Sequence, residues 1–484
     1  MSLVYKSVTG SFWAFLDIVF NKIVYFIATL ILARLLGPVE FGYIGLLLVF
    51  VAIGNTMIDS GLSVSLVRAI KPDDIEYSTI FFFNIILSLI TYLIIFSIAP
   101  LIADFYNLPI LKNLLRVYCL SFIISAFRII PQVLLIKDMN FKKITILNIP
   151  GNIIGLILSV WMAMHNYKIW SIVSLHLSTQ LVTTLMFWFY IKWKPKLEFS
   201  ISKMKYHWTF GYKLMLSAQL NTFFDNIYNI LIGKIYNIQT LGYYERAYTL
   251  NNYPVSILSG IINKVSFPLL SNLLEDQKRI KNVFRNILML SFYISAPLML
   301  GALVIAKPMF ILILGKQWLP AVPFFQILCL GYMVYPVHTL NVNILTVYGR
   351  SDLFLKLEGV KKVMVLLLII VSIKYGVYGL VWSSVLASFA GLFINTYYTG
   401  SLISYFTKDQ LKDILPTFIY SIIMAIFMFA IYSFLSSCSE STQLLITALF
   451  GFIIYISISI LAKNNSFYFL LNQIKNIKTY DSSN

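Results

Sequence analysis

The sequence predicts an all-α polytopic membrane protein of about 14 transmembrane helices. Three observations carry this. Of the 484 residues, 59% are hydrophobic and 12% charged, against roughly 25% charged in soluble domains. The apolar runs are about 20 residues long, enough for a helix to cross a bilayer core, and not the short alternating segments of a barrel. The connections between them are short and basic, as cytoplasmic loops are.

The spans can be drawn in order. The first, 12–33, is apolar apart from Asp17, Asn21 and Lys22. A polar turn, Arg34 to Glu40, leads into the second, 41–62, which closes on Asp59-Ser60-Gly61. Spans at 79–99, 113–135 (holding Arg128), 145–164 and 170–190 (holding His176) complete a first set of six. The seventh, 210–232, carries Asp225 and Asn229, and the eighth, 242–264, has a polar centre at Asn251-Asn252-Tyr253-Pro254. Spans at 287–306, 321–346, 360–375, 377–402, 416–436 and 444–462 follow, two of them divided only near Gly376. Internal Pro and Gly are tolerated because neighbouring helices satisfy the freed backbone groups.

With a cytoplasmic N-terminus, the inside loops and both termini carry most of the 37 Lys and Arg residues. The last outside loop, Ser436 to Gln443, carries none. This bias places both termini in the cytoplasm and favours an even number of spans. The net charge of +18 then reflects basic loops facing anionic lipid, not nucleic acid, since no basic domain exists to hold a polyanion. Cys119, Cys329 and Cys438 stand singly, with neither metal spacing nor a disulfide framework. The first apolar run is too long for a signal peptide and reads as a retained span. No phosphate-loop motif is present, which argues against direct ATP drive. No cofactor and no catalytic residue are assigned. Of the longer inside loops, 191–209 reads as the tether between two halves. Residues 265–286, with Leu270, Leu273, Leu274, Ile280, Val283, Phe284 and Ile287 near helical spacing, read as an amphipathic helix on the inner surface.

The chain repeats itself. Gly233-Lys234 through Leu241-Gly242-Tyr243-Tyr244 echoes Ala33-Arg34 through Phe41-Gly42-Tyr43-Ile44 at an offset of 200. Asn166 to Val173 resembles Lys374 to Val381 at an offset of 208. Each copy holds six spans, so the copies are parallel repeats, which place a substrate path at their interface. The expected domains are 1–195, 196–405 and a C-terminal pair of helices with a basic tail, 406–484.

The chain resembles the Wzx-type polysaccharide flippases of the multidrug/oligosaccharidyl-lipid/polysaccharide exporter superfamily. The resemblance is carried by Ala33-Arg34-Leu35-Leu36-Gly37-Pro38-Val39-Glu40-Phe41-Gly42 and Asp59-Ser60-Gly61-Leu62. Lys137-Asp138-Met139-Asn140-Phe141-Lys142-Lys143, Leu241-Gly242-Tyr243-Tyr244-Glu245-Arg246-Ala247 and Gly349-Arg350-Ser351-Asp352 extend it. It covers essentially the whole chain. It implies two six-helix lobes in a V, as in MATE transporters, plus two C-terminal helices. It also implies a bacterial inner membrane and a cargo of oligosaccharide on undecaprenyl diphosphate, destined for O-antigen, exopolysaccharide or capsule. A polymerase and glycosyltransferases would act beside it.

Such a cargo needs a wet cavity, cations for the diphosphate and a lateral opening for the lipid tail. Arg and Lys at membrane depth supply the cations. The deep candidates are Lys22 and Arg128. Arg34, Lys234, Arg246 and Lys264 lie nearer span ends, where interfacial anchoring competes. For ion coupling by H⁺ or Na⁺, Asp17 with Asn21 and Asp225 with Asn229 place an acid and an amide four apart on one helix face. A structural ion pair between Asp17 and Lys22 or Arg128 is the plainer alternative. Two other functions stay open: a drug/cation antiporter of the same superfamily, which would favour acids over cations in its path, and a membrane-embedded polysaccharide polymerase or ligase, which would need a larger outside loop.

Overall fold

The computed structural model describes residues 3–472; in the first helix the described side chains are Trp13, Leu16 and those from Phe20 onward. The described residues are helical throughout, with turns between the helices and no strand among them. Eleven stretches among them are long and apolar enough to cross a membrane, against the 14 spans expected. One of the eleven, Ser351–Ile403, is two helices parted by a 3-10 turn at Ile373–Tyr375 ahead of Gly376 (φ +76°). The chain packs as two compact units, Met1–Glu245 and Arg246–Asn484. The expected repeat boundary at residue 195 therefore lies inside the first unit.

The first unit contains α1 (Leu3–Leu35), α2 (Pro38–Asp59), α3 (Leu62–Arg68), α4 (Asp74–Tyr106), α5 (Pro109–Tyr118), α6 (Leu120–Lys137), α7 (Phe141–Met164), α8 (Ile169–Tyr190), α9 (Ile201–Asp225), α10 (Ile227–Ile235) and the start of α11 (Ile238–Ser271). Helix starts follow local chemistry. Pro38 and Pro109 open α2 and α5, where a missing N–H costs nothing. Asp73 caps α4, and Asp73 and Glu76 exchange bonds across its first turn.

One end of this unit is basic. There Lys137 donates to the Leu66 and Ala69 carbonyls, Lys203 pairs with Asp73, and Lys196 lies 2.9 Å from Asp74. The expected tether is pinned here. Trp193 packs edge-on against Phe81, and the Lys196 and Ser200 amides donate to Ser78 Oγ and Thr79 Oγ1. At this end His207 is fully buried, its Nδ1 2.8 Å from Ser65 Oγ. Burial holds its imidazole below the ordinary value, although Glu76, 3.8 Å from Nε2, pulls the other way. Above about pH 6.5 the ring is neutral folded or unfolded; below it the unfolded chain takes the proton first, so the folded state loses stability. The melting temperature is expected to fall from roughly pH 7 to 5, and to fall less in His207→Gln. An equal fall in both proteins removes His207 as the cause.

α7 and α8 meet along small residues. Gly151, Gly155, Ser159 and Ala163, spaced by four, are buried on α7, the pattern that lets membrane helices approach closely. A Cβ at Gly151 would overlap Thr183 Oγ1 and lie 2.8 Å from the Thr179 carbonyl oxygen. Gly151→Leu should part the helices at a cost of about 1–3 kcal/mol, read as a lower melting temperature of the purified protein. An unchanged melting curve would show that the seam can relax.

The opposite end of the unit holds another close approach. A Cβ at Gly42 would overlap the Ile238 carbonyl, and one at Gly242 would overlap the Pro38 carbonyl. The starts of α2 and α11 thus touch backbone to backbone.

The second unit takes over within α11 and contains α12 (Gln277–Val304), α13 (Ala306–Ile313), α14 (Val322–Tyr332), α15 (Tyr335–Val347), α16 (Ser351–Ser372), α17 (Gly376–Ile403), α18 (Thr407–Phe434) and α19 (Glu440–Leu461). α11 is continuous through the polar Asn251–Pro254 segment. Asn251 is buried there, donating to the Ala247 and Phe325 carbonyls. The surface helix expected over 265–286 does not form. α11 runs on to Ser271, a turn follows, and Asp276 caps α12 by accepting from the Arg279 amide. Leu270, Ile280 and Phe284 are fully buried, so their spacing marks the interiors of two helices and not one lipid-facing stripe. α18 and α19 pack into this unit: Asn341 and Gln410 exchange amide bonds of 3.0 and 3.2 Å, Arg285 grips Asp413 with two nitrogens, and Tyr293 donates to Ser459.

Candidate functional site

Polar residues at membrane depth in the first unit collect around α1, α6 and α8. On α1, Asn21 accepts from the Asn152 amide of α7, so the two helices are joined by an amide pair. Lys22, the next residue, is half-buried. The Asp17 side chain lies outside the described residues. On α5 and α8, Tyr118 and His176 stack with ring centroids 4.5 Å apart and planes 8° from parallel. Tyr25, one turn beyond Lys22, and Arg128 of α6 both lie within electrostatic range of this pair. Arg128 is half-buried, and the Phe127 carbonyl beside it accepts from Trp188 Nε1 at 3.0 Å, fixing this turn of α6 against α8. A guanidinium among apolar walls, beside rings with polar edges, can grip an anion whose charge water would otherwise screen.

The acid–amide pairs are not equivalent. Asn226 marks a kink between α9 and α10, and Asp225 and Asn229 lie on either side of it. Asp225 is exposed. Asn229 is buried and donates to Glu245 Oε2 at 2.9 Å, on α11. The acid held by Asn229 is therefore Glu245, only 6% exposed. Sequence reasoning passed over it because it was read only as part of the motif that carries the family resemblance. Its signal was a carboxylate two turns into a membrane helix, which calls for a partner.

The other cations divide by position. Arg246 is 2% exposed, whereas Arg34, Lys234 and Lys264 are exposed. Lys234 sits 4.2 Å over the Phe105 ring and donates to the Phe105 carbonyl, tying α10 to the end of α4. These contacts make it an anchor between helices. Near Lys264, Asn343 of α15 donates to Asn263 and Ser266. His338, on α15, is held at Nδ1 by Asn395 and at Nε2 by Ser388, both on α17. The structure thus ties Asn21 to α7, sets Arg128 within electrostatic range of His176, and gives Asp225 and Asn229 different surroundings, one exposed and one buried.

Comparison with known proteins gives the family and the fold. A family model described as a polysaccharide biosynthesis protein matches residues 31–323. The lipopolysaccharide biosynthesis protein WzxC of Escherichia coli K12 is 24% identical over 75% of this chain and 74% of its own. The teichuronic acid biosynthesis protein TuaB of Bacillus subtilis 168 is 25% identical over 61% of this chain and 62% of its own. Among solved structures, the lipid II flippase MurJ superposes with a TM-score of 0.75 at 16% identity, over 93% of this chain and 98% of its own. A MATE family multidrug resistance transporter superposes at 0.62 and 15% identity, over 79% and 94%. These likenesses give the fold. With the matched model spanning more than half of its length, the chain belongs to the polysaccharide biosynthesis protein family.

Proposed function

We propose that the protein is a transporter that moves undecaprenyl-diphosphate-linked oligosaccharide units from the inner to the outer leaflet of a bacterial inner membrane. The observation that carries this reading is the pair of cations inside the helices of the first unit. Lys22 and Arg128 are the chemistry a diphosphate requires at membrane depth, and a drug cation would be repelled by them. Family membership supports the same reading, as do relatives named for lipopolysaccharide and teichuronic acid biosynthesis. The basic loops support a cytoplasmic position for both termini. Arg246, which is buried, is a third cation in addition to the half-buried Lys22 and Arg128, while Arg34, Lys234 and Lys264 guide or anchor at the helix ends. Coupling to H⁺ or Na⁺ is assigned to the acid–amide groups Asp17, Asn21, Asp225 and Asn229, with Glu245 as the partner of Asn229. A polymerase and glycosyltransferases are the expected neighbours in the pathway.

The test is reconstitution. Proteoliposomes loaded on one leaflet with lipid-linked oligosaccharide should expose it to an external glycosidase only when the protein is present and a proton or sodium gradient is imposed. No exposure with folded protein under either gradient overturns the reading.

A further inference from the structure

A cavity of about 300 Å³ opens in the first unit between α2, α3 and α6. Asn55 and Asp59 of α2 and Ser125 and Gln132 of α6 supply its polar wall, and Ile58 and Ile129 lie beside them. Asp59 Oδ1 accepts from Ser63 Oγ, which orients the carboxylate. Ser125 gives its proton to the Phe122 carbonyl and so offers lone pairs. Among the described residues, no cation pairs with Asp59 and nothing hydrogen-bonds the Asn55 or Gln132 amides.

We propose that this cavity binds the sugar ring adjacent to the diphosphate of the cargo. The proposal rests on the flippase reading above. Four features select a sugar. The lining carries one negative charge and no positive one, so a phosphate is repelled. A carboxylate and two amides offer donors and acceptors together, which hydroxyls need. The isoleucines offer an apolar surface to a ring's C–H face. The volume lies at the low end of the ~300–1,000 Å³ of small-molecule sites, so it takes one ring and not a chain. Position then selects which ring. Arg128 is four residues before Gln132, on the same face of α6 and about 6 Å along its axis. A diphosphate at Arg128 thus places its own attached sugar at Gln132, toward the basic end of the unit.

The test uses the full chain in lipid nanodiscs and free glucose, galactose, N-acetylglucosamine and N-acetylgalactosamine as probes, read by saturation-transfer NMR. At least one should receive saturation, and Asn55→Leu and Gln132→Leu should each weaken it by about fivefold, the effect of losing a hydrogen bond or two. Asn55 is exposed, so its replacement leaves folding intact even where Asp59→Asn does not. No transfer from any of the four sugars, or equal transfer in both leucine variants, overturns the proposal. Flipping of lipid-linked cargo by Gln132→Leu at the wild-type rate also overturns it, while leaving the flippase reading in place. A wild type that binds a monosaccharide but flips nothing overturns the flippase reading, and with it the cavity's role in transport.

Discussion

Gly42→Ala and Gly242→Ala are each expected to lower the melting temperature of the purified protein sharply and to reduce its accumulation in the membrane. A methyl group at either site meets backbone: the Ile238 carbonyl in one case, the Pro38 carbonyl in the other. A side chain in the way could swing aside, but a carbonyl moves only if its helix moves. Overpacking of a tight interior costs typically about 1–3 kcal/mol, and a backbone collision belongs at the upper end. The neighbouring turns have no slack, since Leu46, Leu241 and Glu245 are all buried against this crossing. Because both glycines serve one contact, the double variant should cost clearly less than the sum of the singles. Melting curves of the three variants, taken in one detergent, check this. Strict additivity would mean two independent contacts.

Arg128→Ala is expected to abolish polysaccharide export, with a loss of at least about tenfold, a factor that corresponds to roughly 1.4 kcal/mol of lost cargo stabilisation. Lys22→Ala should act in the same direction. Arg128→Lys should restore part of the activity, because an ammonium keeps the charge and loses the fork that grips two phosphate oxygens at once. Membrane insertion should be unchanged in all three, as both residues are only half-buried and removing a cation from an apolar region relieves a desolvation cost. Export is measured as surface polysaccharide in cells lacking their own flippase, with protein level read alongside. Full export from both alanine variants would remove the cations from the path and with them the main support for a diphosphate cargo.

Much of the fold was legible because a bilayer imposes one rule on every span: the expected spans fall in helical sequence, although those at 113–135, 210–232 and 321–346 are each built from two helices. The deep cations were legible for the same reason: a charge in an apolar run declares itself. What escaped the sequence was whatever depends on where a helix breaks. Asp225 and Asn229 look alike at a spacing of four, but across the kink at Asn226 one is exposed and the other is buried against Glu245. Asn favours caps and turns over helix interiors, but one Asn among several in the spans does not announce that kink. The stretch 265–286 failed in the opposite way. Its apolar spacing spans a turn, and Asp276 is a cap that periodicity ignores. The pairing of Asn229 with Glu245, the stack of Tyr118 on His176 and the cavity beside Asp59 bring together residues far apart in sequence. Such meetings belong to tertiary packing, and one sequence alone carries no record of them.

The crossing of α2 and α11 also has a symmetry. Gly42 meets Ile238 and Gly242 meets Pro38, and Gly242 and Ile238 stand 200 positions on from Gly42 and Pro38. This is an isologous contact, the kind made by two identical subunits about a two-fold axis. Each glycine is therefore the other's counterpart in one symmetric contact, and a substitution at either should be felt at both.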